Sequence, residues 1–186
     1  MQYDKSIKSI NDKLKKYSLD FLENGVKWII VTGETTESRY ELYCDTIYVH
    51  PDDIGWSWTF GKTAYAILYH ELGHRYAERI LTRKLLRRKD IVELFGHYHK
   101  KYIRRLRYAS KARQRDMFDV ASRYSLVHPA DDFSEIFSVC LQYITKDEDP
   151  IQFVRDKLKS EICKNKIVKM LELFEYSKEQ LREEKK

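Results

Sequence analysis

The chain has 186 residues, 42% hydrophobic and 13% aromatic, which suits a buried core without disulfides and excludes a disordered polymer. Its net charge of +6 hides an asymmetry: from Arg75 to Arg115 fifteen Lys/Arg meet three acids (Glu78, Asp90, Glu93), a local +12 that leaves about −6 elsewhere. Cys44, Cys140 and Cys163 are widely spaced, with no CxxC pair, so neither a zinc ribbon nor a disulfide framework is indicated.

The N-terminal stretch to Phe21 mixes polar and apolar residues without a hydrophobic run, so no signal peptide is visible. No segment approaches the roughly 20 apolar residues that span a bilayer. The expectation is a cytoplasmic protein with no membrane contact.

Residues 3–23 place Ile7, Ile10, Leu14, Tyr17 and Phe21 at spacings of three and four, an amphipathic helix stopped by Asn24-Gly25. Val26–Val31 is rich in β-branched and aromatic residues and reads as a buried strand. After a polar loop, Tyr40–His50 reads as a second strand centred on Ile47, Tyr48 and Val49, and Pro51 ends it. Gly55–Gly61 with Lys62-Thr63 imitates a phosphate-binding loop, but five residues separate the glycines instead of the four that such a loop needs. It reads instead as an aromatic loop into a helix.

Lys62–Leu81 reads as a long helix whose small Ala64, Ala66 and Gly73 suit close packing. The basic segment 82–115 looks helical with a break near Gly96. Phe118–Val127 and Phe133–Ile144 flank His128-Pro129, and Asp131 and Asp132 favour a helix start just after that proline. From Pro150 an amphipathic helix fades into a charged end. The order predicts an α+β fold: one mostly helical domain over 1–186, a small sheet packed on the 62–81 helix, a basic helical insert at 82–115, and C-terminal helices at 150–183.

The most informative segment is His70-Glu71-Leu72-Gly73-His74. Residues four apart on a helix share a face, so His70 and His74 can grip one ion while Glu71 reaches a water beside it. Two imidazoles and a base at this spacing are the equipment of a zinc-dependent peptidase. Such a zinc takes a third protein ligand and keeps one position open. Downstream, Asp131 and Glu135 are four apart within an apolar stretch (Phe133, Ile136, Phe137, Val139). One can bind the metal while the other accepts the N–H of a ligand histidine, fixing its tautomer and ring orientation.

The pairing of HELGH with Tyr124-Ser-Leu-Val-His-Pro-Ala-Asp-Asp-Phe-Ser-Glu-Ile-Phe137 resembles the gluzincins. It is most similar to small bacterial zinc metallopeptidases and to the catalytic domain of anthrax lethal factor, over the stretch from the second strand to Phe137. The resemblance implies a zincin-like fold holding one catalytic Zn2+ and hydrolysing peptide bonds in a protein or peptide substrate. By position, His70 and His74 match the zinc ligands, Glu71 the catalytic base, and Tyr124 the tyrosine near the metal. Asp131 falls at the third ligand and Glu135 at the carboxylate behind it. The family has glutamate where this chain has Asp131, one methylene shorter, so Glu135 stands as the alternative ligand. In this fold type an extended substrate lies along an edge strand, for which Glu41–Val49 is the candidate.

Other signals rank lower. His97 and His99 alternate rather than share a helix face and read as exposed histidines, and His128 competes with the acidic pair for the third ligand. The basic segment 83–115 interleaves Arg83–Lys89 and Arg104–Arg107 with Tyr98, Tyr102 and Tyr108, a pattern able to meet phosphates or an acidic protein. The alternative reading is thus a non-catalytic nucleic-acid- or protein-binding module on a zincin scaffold.

Overall fold

The computed structural model describes residues 2–31, 38–50, 65–96, 121, 125 and 128–184. Helix α1 (Gln2–Lys16) buries Ile10 and Leu14 completely. It ends earlier than its periodicity predicts. Ser18 takes a left-handed φ of 55°, and the Leu19 and Ser18 N–H groups close back on Leu14 and Lys15 oxygens, the closure that terminates helices. A short 3-10 turn, Asp20–Leu22, buries Leu22, and Gly25 (φ 81°) turns the chain into the sheet.

Strands β1 (Lys27–Ile30), β2 (Arg39–Glu41) and β3 (Thr46–Val49) form a mixed sheet in the order β1-β3-β2. Trp28 pairs with Ile47 in the parallel ladder, and Tyr40 with Ile47 in the antiparallel one. The segment Tyr40–His50, expected as one strand, is therefore a hairpin. Its turn, residues 42–45, has neither Gly nor Pro, and Asp45 adopts φ 47°. Contacts remote in sequence hold it. Arg75 donates Nε and Nη2 to the Asp45 carboxylate at 2.7 and 2.9 Å, and Tyr40 Oη donates to the same group at 3.0 Å. The remaining guanidinium bonds reach Leu22 O and Asn24 O at 2.6 and 2.7 Å. The predicted edge Glu41–Val49 is corrected accordingly: β3 is the inner strand, and β2 is outermost on its side among the described residues.

This fork predicts a pH-dependent stability. Burial opposes ionisation of Asp45, but the bonds and charge of Arg75, with Tyr40 Oη and Arg79, outweigh it and hold its pKa below the ordinary 3.8. A depressed carboxylate contributes stability above its unfolded pKa and loses it as pH falls through the folded one. Asp45→Ala strands the buried Arg75 and is expected to cost about 3 kcal/mol at pH 7, the low end for a broken buried pair because two carbonyls still accept from it. In urea unfolding, the gap between wild type and variant narrows as the pH drops below 3.8.

Helix α2 (Ala66–Arg75) carries the His/Glu motif and is followed by one wide turn, Tyr76–Ile80, closed by the Leu81 N–H on Tyr76 O at 2.9 Å. The predicted helix to Leu81 thus changes pitch at Tyr76, whose hydroxyl is anchored on Leu173 O (2.6 Å) and Ser177 Oγ (2.9 Å). Short helices α3 (Arg83–Leu86) and α4 (Lys89–Phe95) follow, and Gly96 (φ 81°) breaks the chain where the sequence predicts. Helix α5 is Pro129–Ile144, α6 is Pro150–Phe153, and α7 is Glu161–Glu183 with Ser160 as N-cap. No described helix is long and apolar enough to cross a membrane. The expected α+β architecture is what forms, mostly helical with the small sheet against α2.

The core between α2, α5 and α7 is aromatic. Tyr76 packs against Phe133, Phe137 and Phe174 with ring centroids 5.3–6.4 Å apart. Ala66 O accepts from Ser138 Oγ at 2.7 Å, while His70 meets Glu135 and His74 meets Asp131. Contacts climbing α2 descend α5, so the two helices are antiparallel. Gly73 sets their spacing: a Cβ there would lie 2.9 Å from Ser134 Cα and 3.2 Å from Phe137 Cβ. A helix interior favours Ala over Gly by up to about 1 kcal/mol, but this neighbour is backbone and cannot swing aside. Gly73→Ala is therefore expected to lower stability by about 1–3 kcal/mol and to push the two helices apart. Thermal unfolding checks the sign.

Candidate metal centre

Helix α2 projects His70 and His74 from successive turns toward α5. Their Nε2 atoms lie 3.0 Å apart, and Asp131 Oδ1 is 3.6 Å from His74 Nε2. One donor atom from each of His70, His74 and Asp131 falls within 4.8 Å of the others. Two imidazoles and a carboxylate are a donor set of catalytic zinc, and tetrahedral ligands at about 2.05 Å lie about 3.3 Å apart. The separations of 3.0 and 3.6 Å bracket that value, so these residues fit the ion.

Behind His70 stands Glu135, whose Oε1 is 2.7 Å from His70 Nδ1. This contact occupies the nitrogen that points away from His74, as an outer carboxylate must to leave the other free for a metal. The pair is closed off, with side chains 7% and 4% exposed, whereas His74 and Asp131 are 21% and 14% exposed. The His70–Glu135 pair is thus the more deeply buried side of the centre. Burial opposes protonation of His70, but the bond to Glu135 and the charges of Glu135, Glu71 and Asp131 prevail and raise its pKa to about 9. Burial and the neighbouring His70 and His128 hold His74 well below its ordinary value. The 3.0 Å contact brings the Nε2 atoms of the two rings face to face.

Glu71 is buried beside His70, and its Oε2 accepts the Tyr40 backbone N–H at 2.6 Å. That N–H belongs to β2 and is turned away from β3, so the sheet edge fixes the carboxylate of the motif. Sequence reading finds Glu71 but not this partner, because a backbone donor leaves no mark on residue type.

The structure brings together His70, Glu71, His74, Asp131 and Glu135. Tyr124, His97, His99 and the part of the basic segment from 97 to 115 lie outside the described residues. His128, the competing ligand, is the N-cap of α5, its Nδ1 accepting the Ala130 N–H at 3.0 Å. Two further residues escape the motif reading. Asp132 is wholly buried and bonded to Lys166 Nζ of α7 at 2.7 Å. The available signal is Lys166 itself, a lysine on the stripe Cys163, Ile167, Met170, Phe174 that is otherwise apolar.

A family model described as "Putative zinc-binding metallo-peptidase" matches residues 62–176. No curated protein and no solved structure matches the chain. The matched span covers more than half of the sequence and includes α2, α5 and the Lys166 portion of α7. By that match the chain belongs to this family of zinc-binding metallopeptidases.

Proposed function

We propose that the protein is a zinc-dependent endopeptidase of gluzincin type, with His70, His74 and Asp131 as ligands of one ion and Glu71 as general base. The carrying observation is that His70, His74 and Asp131 each bring one donor atom within 4.8 Å of the others, with Glu71 next to His70 on α2. Zinc held by these residues would supply Lewis acidity to the scissile carbonyl and to a water. Glu71 takes the proton of the attacking water and delivers it to the departing amine. Its hold on the Tyr40 N–H keeps the carboxylate in one orientation through both transfers. Glu135 holds the His70 ring so that Nε2 faces the ion. Tyr124 is assigned the stabilisation of the developing oxyanion, on the strength of its place in the motif alone.

The test combines metal analysis of the purified protein with cleavage of an unfolded protein substrate, before and after chelation. Zinc bound at about one ion per chain, with cleavage lost on chelation and regained with zinc, is the expected result. Absence of zinc, or cleavage indifferent to chelation, refutes the reading.

A further inference from the structure

Asp131 and Asp132 are adjacent carboxylates with opposite fates. Asp131 faces α2, whereas Asp132 is buried against α7, where its Oδ2 accepts Lys166 Nζ at 2.7 Å. The side chains of Lys166 and Asp132 are 1% and 0% exposed. Lys166 Nζ also lies 6.0 Å from the ring centroid of Phe95, the last residue of α4. Replacing a buried ion pair by apolar side chains is often neutral or stabilising, so stability alone gives no reason for this one.

Its place in the fold supplies a reason. Successive residues of a helix project about 100° apart. Once Asp132 is tied to α7, Asp131 must project about a quarter turn away, toward His74. Helix α5 begins at Pro129, so only two helical residues precede Asp131, and the rotation of this first turn depends on what its side chains grip. We propose that Lys166 is a positioning residue of the metal centre: its bond to Asp132 sets the rotation of the first turn of α5 and selects Asp131, not Asp132, as the carboxylate facing the ion. This rests on the reading of His70, His74 and Asp131 as zinc ligands.

The test measures zinc affinity by competition with a chromophoric chelator, on full-length protein stripped of metal and reconstituted with zinc. Lys166→Met is expected to bind zinc about 10–100-fold more weakly, as when a partner behind a ligand is lost. Because that variant takes the lysine away from a buried carboxylate, the deciding variant is Lys166→Met/Asp132→Leu, which removes both charges. Near-UV circular dichroism and thermal unfolding of the metal-free form report its fold. Positioning predicts a double variant as stable as wild type, or more so, that still binds zinc at least about 10-fold more weakly. A merely structural pair predicts that zinc affinity returns with stability, and wild-type affinity in the folded double variant overturns the proposal. Wild-type protein that binds no zinc overturns the metal-centre reading and this one with it, an outcome distinct from equal zinc binding by both proteins.

Discussion

Glu71→Gln is expected to lower peptide hydrolysis by about 10²–10⁴-fold, the contribution of a positioned general base, with the bound zinc unchanged. The substitution is well matched to its site. Glu71 Oε2 accepts the Tyr40 N–H at 2.6 Å, and the amide oxygen of glutamine can accept that bond in the same place. The contact between α2 and β2 therefore survives while the proton acceptor is lost. Burial strengthens the expectation, since Glu71 is 6% exposed and solvent has little access to stand in for it. Zinc content by elemental analysis and cleavage of an unfolded protein, measured on the same samples, separate the two roles. Glu71→Gln protein that keeps its zinc and cleaves at the wild-type rate would show that Glu71 is not the base. Loss of zinc from the same variant would show instead that Glu71 helps to hold the ion.

How much of this was legible in the sequence depends on how local the physics is. Motif spacing is local: a helix puts residues i and i+4 on one face, so His70 and His74 were readable as a pair before any fold was known. The acidic pair on α5 was readable for the same reason. How closely its carboxylates approach the histidines was not, because that depends on how far α5 stands from α2. That distance is set by Gly73 against the Ser134 backbone. With the helices this close, an aspartate reaches to within 3.6 Å of His74 Nε2.

The hairpin went unread for the opposite reason. A tight turn usually announces itself with Gly, Asn or Pro, whereas residues 42–45 (Leu-Tyr-Cys-Asp) are held by Arg75 from another element. The early end of α1 at Ser18 is similar, since its apolar spacing runs on through Tyr17 and Phe21 although the helix has closed. The bond between Asp132 and Lys166 joins residues 34 apart, and no periodicity in either helix links them. What showed was only a charge on each apolar surface, and buried charges require partners.

Asp131→Ala and Glu135→Gln should then part company in metal affinity. Asp131 offers Oδ1 on the less deeply buried side of the centre, and no other carboxylate among the described residues joins His70 and His74 there. Its removal leaves two imidazoles, too few for a catalytic zinc site, and the protein should emerge from gel filtration without zinc. Glu135 touches the far side of His70 instead, 2.7 Å from Nδ1. Glutamine at 135 keeps an oxygen to accept the ring N–H but loses the negative charge that makes His70 a stronger donor. Zinc should stay bound with an affinity about 10–100-fold lower. Chelator competition on the two variants reads this contrast directly. The reverse order, with zinc lost from Glu135→Gln and retained by Asp131→Ala, would make Glu135 the ligand. In that event the Glu135 carboxylate would have to leave His70 Nδ1, which lies on the side of the ring away from the Nε2 that faces His74.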